Sequence, residues 1–146
     1  MTQPSRRRFA ALAGSTALAA VLASESHAQS ATAPLRIVFQ VSDGEVAKWN
    51  LALNNVRNVQ TELPDDTPEI EVVAYGPGIG MLKKDSPIAA RVAEALKNGV
   101  KVVACETTMK NMKLGYADML PNIGYVPAGV VEIARKQQQG FAYIKP

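Results

Sequence analysis

Residues 35–56 read LRIVFQVSDGEVAKWNLALNNV and contain the signals of a strand followed by a helix. The apolar, largely β-branched run 35–41 predicts a buried strand, and the turn residues 42–44 end it. Apolar residues then recur at helical spacing up to residue 63, at Val46, Trp49, Leu53, Val56 and Leu63. Asp43 is the expected N-cap of this helix.

The same alternation continues to the end of the chain. The predicted elements are strand 70–75, glycine-rich loop 76–80, helix 86–98, strand 100–104, short helix 107–114, strand 125–126, helix 130–139 and strand 141–144. Strands that alternate with helices, several of them continuous apolar runs, indicate a parallel sheet covered on both faces. The predicted fold is therefore an α/β three-layer sandwich with a mainly parallel five-stranded sheet.

The N-terminus has the order of an export signal. Arg6, Arg7 and Arg8 precede the uncharged, Ala- and Leu-rich stretch 10–23, and small residues follow up to Ala28. This order predicts a twin-arginine signal at residues 1–28 that is cleaved during export to the periplasm. The alternative is a transmembrane anchor, but the stretch falls short of the ~20 apolar residues that span a bilayer. Residues 29–34 are expected to be a flexible lead-in to a domain at 35–146.

Cleavage changes the meaning of the basic composition. Residues 1–28 hold three of the 16 basic and one of the 13 acidic side chains, so the net charge falls from +3 to +1. A nucleic-acid partner is not expected, because affinity for phosphates needs many Lys and Arg contacts. Contact with a membrane is expected only during export.

The residue inventory excludes several kinds of site. The only histidine, His27, leaves with the signal, and Cys105 is the only cysteine. One chain can therefore form neither a Ser-His-Asp nor a Cys-His nucleophile system. A zinc site of His and Cys ligands is excluded as well, and neither a metal nor an organic cofactor is predicted.

Cys105 is the candidate reactive residue. Parallel sheets bind ligands beyond the carboxyl ends of their strands, and a flavodoxin-like strand order would put the site between strands one and three. Those ends carry Ser42, Asp43 and Cys105. A thiol at a helix start faces unpaired amides that favour the thiolate. The alternative is a buried structural residue, since free cysteine is often fully buried.

Two further groups have open interpretations. The loop containing Gly76 and Gly78 either presents amides to an anion or forms a tight turn that needs positive φ. Asn50, Asn54 and Asn58, four residues apart on the first helix, either line a cleft or subunit interface or are solvated.

Four segments together resemble the DsrE/DsrF-like family, and more closely its exported branch: FQVSDGEVAKWNLALNNVRNVQ (39–60), EVVAYGPGIGMLK (71–83), VVACETTM (102–109) and VPAGVVEIARKQQQGFAYIKP (126–146). The resemblance implies trimers or hexamers. It also implies that a cysteine after the third strand carries sulfur as a persulfide between partner proteins. Cys105 occupies the matching position. The chain departs from the cytoplasmic relay members in its export signal, and it has no second cysteine to resolve a persulfide.

These features predict an exported sulfur-handling protein in which Cys105 accepts sulfane sulfur and passes it to a thiol or persulfide partner protein. Such a protein is a carrier or transferase more than a turnover enzyme. Thr107 or Lys110 would stabilise the anion, and Ser42, Asp43, Gly76 and Gly78 would shape the rim. The sulfur is expected to lie open to solvent. The alternative is a periplasmic small-ligand-binding or oligomeric assembly module without covalent chemistry.

Overall fold

The computed structural model describes residues 34–63 and 67–146, so the predicted signal and all but the last residue of the lead-in lie outside the described residues. The strands are β1 (Arg36–Val41), β2 (Glu69–Ala74), β3 (Lys101–Cys105), β4 (Gly124–Val126) and β5 (Ala142–Ile144). The α-helices are α1 (Val46–Glu62), α2 (Ala89–Lys97), α3 (Glu106–Asn111) and α4 (Gly129–Gln138). Two 3₁₀ helices span Gly76–Leu82 and Tyr116–Asp118.

The five strands form one parallel sheet in the order β4-β3-β2-β1-β5. The predicted α/β fold with a parallel sheet is confirmed. The strand order, however, is not that of flavodoxin, because β2 lies between β1 and β3. The chain adds one neighbouring strand at a time from β1 to β4 and then crosses to the other edge for β5. The carboxyl ends of β1, β2 and β3 still meet at one edge of the sheet.

Helices cover both faces of the sheet, as predicted. Alternate strand residues such as Ile37, Phe39 and Val72 pack with α1 and α2 in the larger hydrophobic core. The residues between them face α4, where Val38, Val73, Val103 and Val126 pack with Ile133 and Phe141. We call these two sides of the sheet the α1 face and the α4 face. The side chains of Glu71, Tyr75 and Cys105 belong to the α4 face, because strand residues alternate between faces.

The start of α1 differs from the prediction. Its N-cap is Glu45, without a side-chain capping bond, and Asp43 lies two residues before it. The carbonyl oxygen of Asp43 instead accepts a hydrogen bond of 2.7 Å from the indole Nε1 of Trp49. Trp49 itself is buried. The turn after β1 is therefore fixed by the indole of α1, and the Asp43 carboxylate does not cap the helix.

The asparagine row on α1 joins two helices. Arg91 of α2 donates to Oδ1 of Asn50, and also to Oδ1 of Asn54 at 2.7 Å. Asn58 is exposed. Two of the three side chains therefore connect α1 to α2 within one chain. Separately, none of the helices in residues 34–63 and 67–146 is both long and apolar enough to cross a bilayer.

Candidate functional site

Cys105 is the last residue of β3 and the N-cap of α3. Its Sγ accepts a hydrogen bond from the amide of Thr108 at 3.5 Å. A side-chain acceptor at this position satisfies one of the helix-start amides that have no carbonyl partner. The prediction that the thiol lies at a strand end and a helix start is thus confirmed in its geometry.

A second helix start also faces the sulfur. The backbone amide of Gly129, the first residue of α4, lies close enough to Cys105 to lower the pKa of its thiol. The chain reaches α4 through Pro127, whose carbonyl oxygen accepts from the amide and the hydroxyl of Thr107 at 3.1 and 2.7 Å. Cys105 therefore lies between the N-termini of α3 and α4, where both helix dipoles favour negative charge.

These contacts change the acidity of the thiol. Burial raises the pKa of Cys105, but hydrogen bonds from the Thr108 hydroxyl and from the amides of Gly129, Thr108 and Thr107 outweigh it. The net pKa is lowered. The Thr107 amide contributes least and is also bonded to Pro127. Donors that stabilise the charged form, rather than a neighbouring cation, thus favour the thiolate.

The Thr108 hydroxyl is oriented from a different strand. The amide of Gly76, just after β2, donates to Thr108 Oγ1 at 2.9 Å. Because that oxygen accepts from Gly76, its own hydrogen is free to point at Cys105. Gly76 adopts φ +52°, a conformation that glycine reaches without strain. The positive φ predicted for this loop is therefore found at Gly76.

The sulfur is buried, so the expectation of an open thiol is wrong. Cys105 is only 4% exposed. The start of α4 packs closely beside this site, since a Cβ on Gly129 would lie 3.0 Å from Tyr75 Cβ and Cδ1. Among the described residues, neither hydrophobic cluster includes Cys105. The thiol is thus a buried group that lies next to the polar start of α3.

A polar network lies on the α4 face beside the thiol. The Tyr143 hydroxyl donates to Gln40 Oε1 at 2.6 Å, and Gln40 Nε2 donates to Ser42 Oγ at 3.0 Å. Burial first, and then Tyr143, raise the pKa of Tyr75, and these effects outweigh the lowering effect of Ser42. Tyr75 therefore stays a neutral hydroxyl. Asp43, also predicted for the rim, lies 3.9 Å from Lys145 Nζ.

The glycine loop is not an anion cradle. Residues 76–82 form a 3₁₀ helix, and the amide of Gly78 donates to the carbonyl oxygens of Ser42 and Tyr75 at 3.2 and 3.1 Å. A Cβ on Gly78 would lie 2.2 Å from the Val41 carbonyl oxygen. Gly78 is therefore needed for close packing against β1. The tight-turn interpretation of this loop is the one that the structure supports.

Thr107 and Lys110 differ in their relation to the sulfur. Thr107 contributes an amide, while its side chain is bonded to Pro127. Lys110 is exposed and lines a cavity of about 370 Å³ with Glu106, Met109 and Tyr116. Glu106 accepts a hydrogen bond from the Tyr116 hydroxyl. Lys110 thus belongs to a cavity whose lining does not include Cys105.

Sequence reasoning missed three residues of this site: Thr108, Gly129 and Tyr75. Thr108 could have been found, because it is the third residue after a cysteine that starts a helix, where its amide reaches the cap. Gly129 and Tyr75 carry no local signal, since their proximity depends on strand pairing. Within residues 34–63 and 67–146, no cluster of three or more His, Cys, Asp or Glu side chains could hold a metal ion.

Comparison with known proteins identifies relatives of this chain. The sequence model of the DsrE/DsrF-like family matches residues 12–146. MTH1491 of Methanobacterium thermoautotrophicum, a protein of unknown function, is 35% identical, with a TM-score of 0.73 over 77% of this chain and 99% of that chain. A comparison with curated proteins gave no match.

Two more distant structures share the fold. BT1422 of Bacteroides thetaiotaomicron, a conserved protein of unknown function, is 12% identical, with a TM-score of 0.63 over 76% of this chain and 94% of that one. The ychN protein of E. coli is 11% identical, with a TM-score of 0.58 over 77% of this chain and 98% of that one. At this level of identity the likeness supports the architecture alone.

Proposed function

The chain belongs to the DsrE/DsrF-like family, and we propose that it is an exported sulfur carrier that holds sulfane sulfur as a persulfide on Cys105. The observation that carries this proposal is the position of Cys105 Sγ at the start of α3, where it accepts from the Thr108 amide and where nearby polar groups of Thr108 and Gly129 also lower its pKa. A structural cysteine needs no such donors. A nucleophilic thiolate does, because the thiolate and not the thiol attacks sulfur.

The transfer balances without an external oxidant. The Cys105 thiolate attacks the outer sulfur of a donor persulfide, R–S–SH, so that an Sγ–S bond forms. The donor S–S bond breaks, and its electron pair leaves with RS⁻. Release is the same reaction in reverse: an acceptor thiolate attacks the outer sulfur of Cys105–S–SH, and Cys105 leaves as the thiolate. The hydrogen-bond donors around Sγ stabilise that leaving thiolate.

The absence of a second cysteine defines the acceptor. The sequence has one thiol, so a resolving thiol must come from a partner protein, a neighbouring subunit or a small molecule. Export and the trimeric or hexameric assembly belong to the same proposal. The arginines at 6–8 with the apolar stretch 10–23 support export. Exposed apolar side chains such as Val130 and Val131 on α4 support self-association.

Intact-mass spectrometry tests the proposed chemistry. After exposure to inorganic polysulfide and desalting, the purified protein should carry one added sulfur atom, and a later addition of a small thiol should remove it. The matched control is Cys105→Ser, which keeps the size and the capping ability of the side chain. An unmodified wild-type protein, or equal modification of the serine variant, would contradict the proposal.

The burial of Cys105 favours a second candidate function, a binding or assembly module without covalent chemistry. A residue that is 4% exposed resembles a structural cysteine in its accessibility. The same experiment separates the two functions. A binding module would fold and assemble normally but take up no sulfur.

A further inference from the structure

Helix α4 is attached to the sheet through one stripe of three buried residues, Gly129, Ile133 and Lys136. Their spacing of four and three places them on one side of the helix. Gly129 packs on Tyr75, Ile133 packs in the cluster that contains Val73, and Lys136 pairs with Glu71. The attachment is therefore apolar in the middle and polar at the far end from Cys105.

The three contacts run along a single strand. Glu71 and Tyr75 contact Lys136 and Gly129 in reverse order, and Val73 between them shares a hydrophobic cluster with Ile133. Four strand residues span roughly 13 Å, and seven helical residues span roughly 10 Å. These two lengths are similar, so α4 can lie along β2 with both outer contacts formed. The position of Lys136 therefore helps to determine the position of Gly129.

Glu71 is an unusual residue for the middle of a sheet. It is 1% exposed, and its Oε2 lies 2.9 Å from Lys136 Nζ and 3.0 Å from Lys101 Nζ. Both are charge contacts without hydrogen-bond geometry, and Oε1 has no hydrogen-bond partner among the described residues. A buried carboxylate of this kind is strongly destabilising without its cations.

The two lysines beside Glu71 lie on different elements and differ in exposure. The side chain of Lys136 is 10% exposed and that of Lys101 is 57% exposed. Lys136 Nζ also lies 4.6 Å from the centroid of the Phe141 ring, over which Arg36 stacks at 5.2 Å, and 4.0 Å from Glu132. Only Lys136 links the carboxylate to α4, because Lys101 is part of β3.

We propose that Lys136, paired with Glu71, is a positioning residue for the sulfur site: it holds α4 along β2 and so keeps the Gly129 amide over Cys105. The inference rests on the proposed function, because the sulfur chemistry is what the position of that amide serves. The same helix thereby favours the Cys105 thiolate and limits access to its sulfur. If α4 loosened, the Gly129 amide would move away from Cys105 and the sulfur would become more accessible.

The alkylation rate of Cys105 across pH measures both effects. In Lys136→Met we expect the midpoint of the profile to move up, because the Gly129 donor is less well placed. We also expect the high-pH plateau to rise about tenfold, because the sulfur is less covered, as for other local openings. The variant Lys136→Arg keeps the charge and should stay close to wild type.

The matched control is Lys101→Met, which removes the other ammonium from the same oxygen without touching α4. It should lower the melting temperature but leave both the midpoint and the plateau unchanged. If Lys136→Met does not fold, Glu71→Gln removes the charge that Lys136 pairs with and should shift the profile in the same way.

Two results would overturn the inference. One is a destabilised Lys136→Met protein with a wild-type profile, which would make Lys136 purely structural. The other is an equal shift in Lys101→Met, which would indicate a general charge effect. A wild-type protein that takes up no sulfur would contradict the proposed function instead, and these alkylation profiles would still decide the role of Lys136.

Discussion

Thr108 is the residue that connects the sulfur to the rest of the sheet. Its hydroxyl accepts from Gly76, which follows β2, and lowers the pKa of Cys105, which ends β3. Its amide donates to the same sulfur. Thr108 therefore connects the loop after β2 to the thiol, and the position of that loop affects how well Thr108 stabilises the thiolate.

Replacement of Thr108 tests that relation. In Thr108→Val the hydroxyl is lost at nearly constant volume, so the thiolate loses a donor and the alkylation midpoint of Cys105 should rise. At neutral pH the alkylation rate should fall about tenfold, as expected for one hydrogen bond to a charged group. Thr108→Ser is the control and should keep the wild-type midpoint. A valine variant with an unchanged midpoint would exclude a role for the hydroxyl.

The Thr108→Val variant should also alter how the stability of the protein depends on pH. The pKa of the Cys105 thiol is lower in the folded protein, so its ionisation stabilises the fold fully above the ordinary thiol pKa of about 8.5. That stabilisation is lost as the pH falls through the folded pKa. The difference in melting temperature between wild type and Thr108→Val should therefore be larger above the ordinary thiol pKa than below the folded pKa of Cys105.

At the scale of elements, the site exists because β3 and β4 are parallel neighbours that end together. Cys105 is paired in register with Val126; α3 follows β3 directly, and two residues connect β4 to α4. The helices α3 and α4 consequently begin side by side. Two helix starts at one sulfur follow from strand pairing and not from any motif within α3.

The dependence of the site on strand pairing explains which of its features the sequence could predict. The order of strands and helices is encoded in local periodicity, and so is the place of Cys105 at a strand end. The burial of the sulfur depends on where the first turn of α4 comes to lie, which is a long-range property. The partner of the asparagine row was hidden for the same reason, because Arg91 is on another helix.

At the scale of the whole molecule, a protected sulfur suits a carrier. A thiol that is 4% exposed is shielded from indiscriminate oxidants, and it requires a sulfur donor that can reach a buried atom. The apolar side chains Val130, Val131 and Tyr143 are 57%, 44% and 42% exposed near this edge. Such side chains are common where copies of a chain associate.

Native mass spectrometry tests export and assembly together. Protein that is expressed with its own N-terminus and recovered from the periplasmic fraction should have lost residues 1–28. It should also have the mass of three or six chains. Replacement of Arg6 and Arg7 by lysine, which preserves the charge, should leave uncleaved protein in the cytoplasm. An uncleaved wild-type chain would contradict export, and a single-chain mass at micromolar concentration would contradict assembly.

The most direct test of the account compares the alkylation profile of Cys105 in the folded wild-type protein with that of the same protein in denaturant. We expect a lower midpoint in the folded state, because the polar groups of α3, α4 and Thr108 outweigh the effect of burial on the pKa of Cys105. Burial alone would raise the midpoint, so the sign of the difference separates the two effects. A folded midpoint at or above that of the denatured chain would contradict the claim that this site exists to stabilise a thiolate.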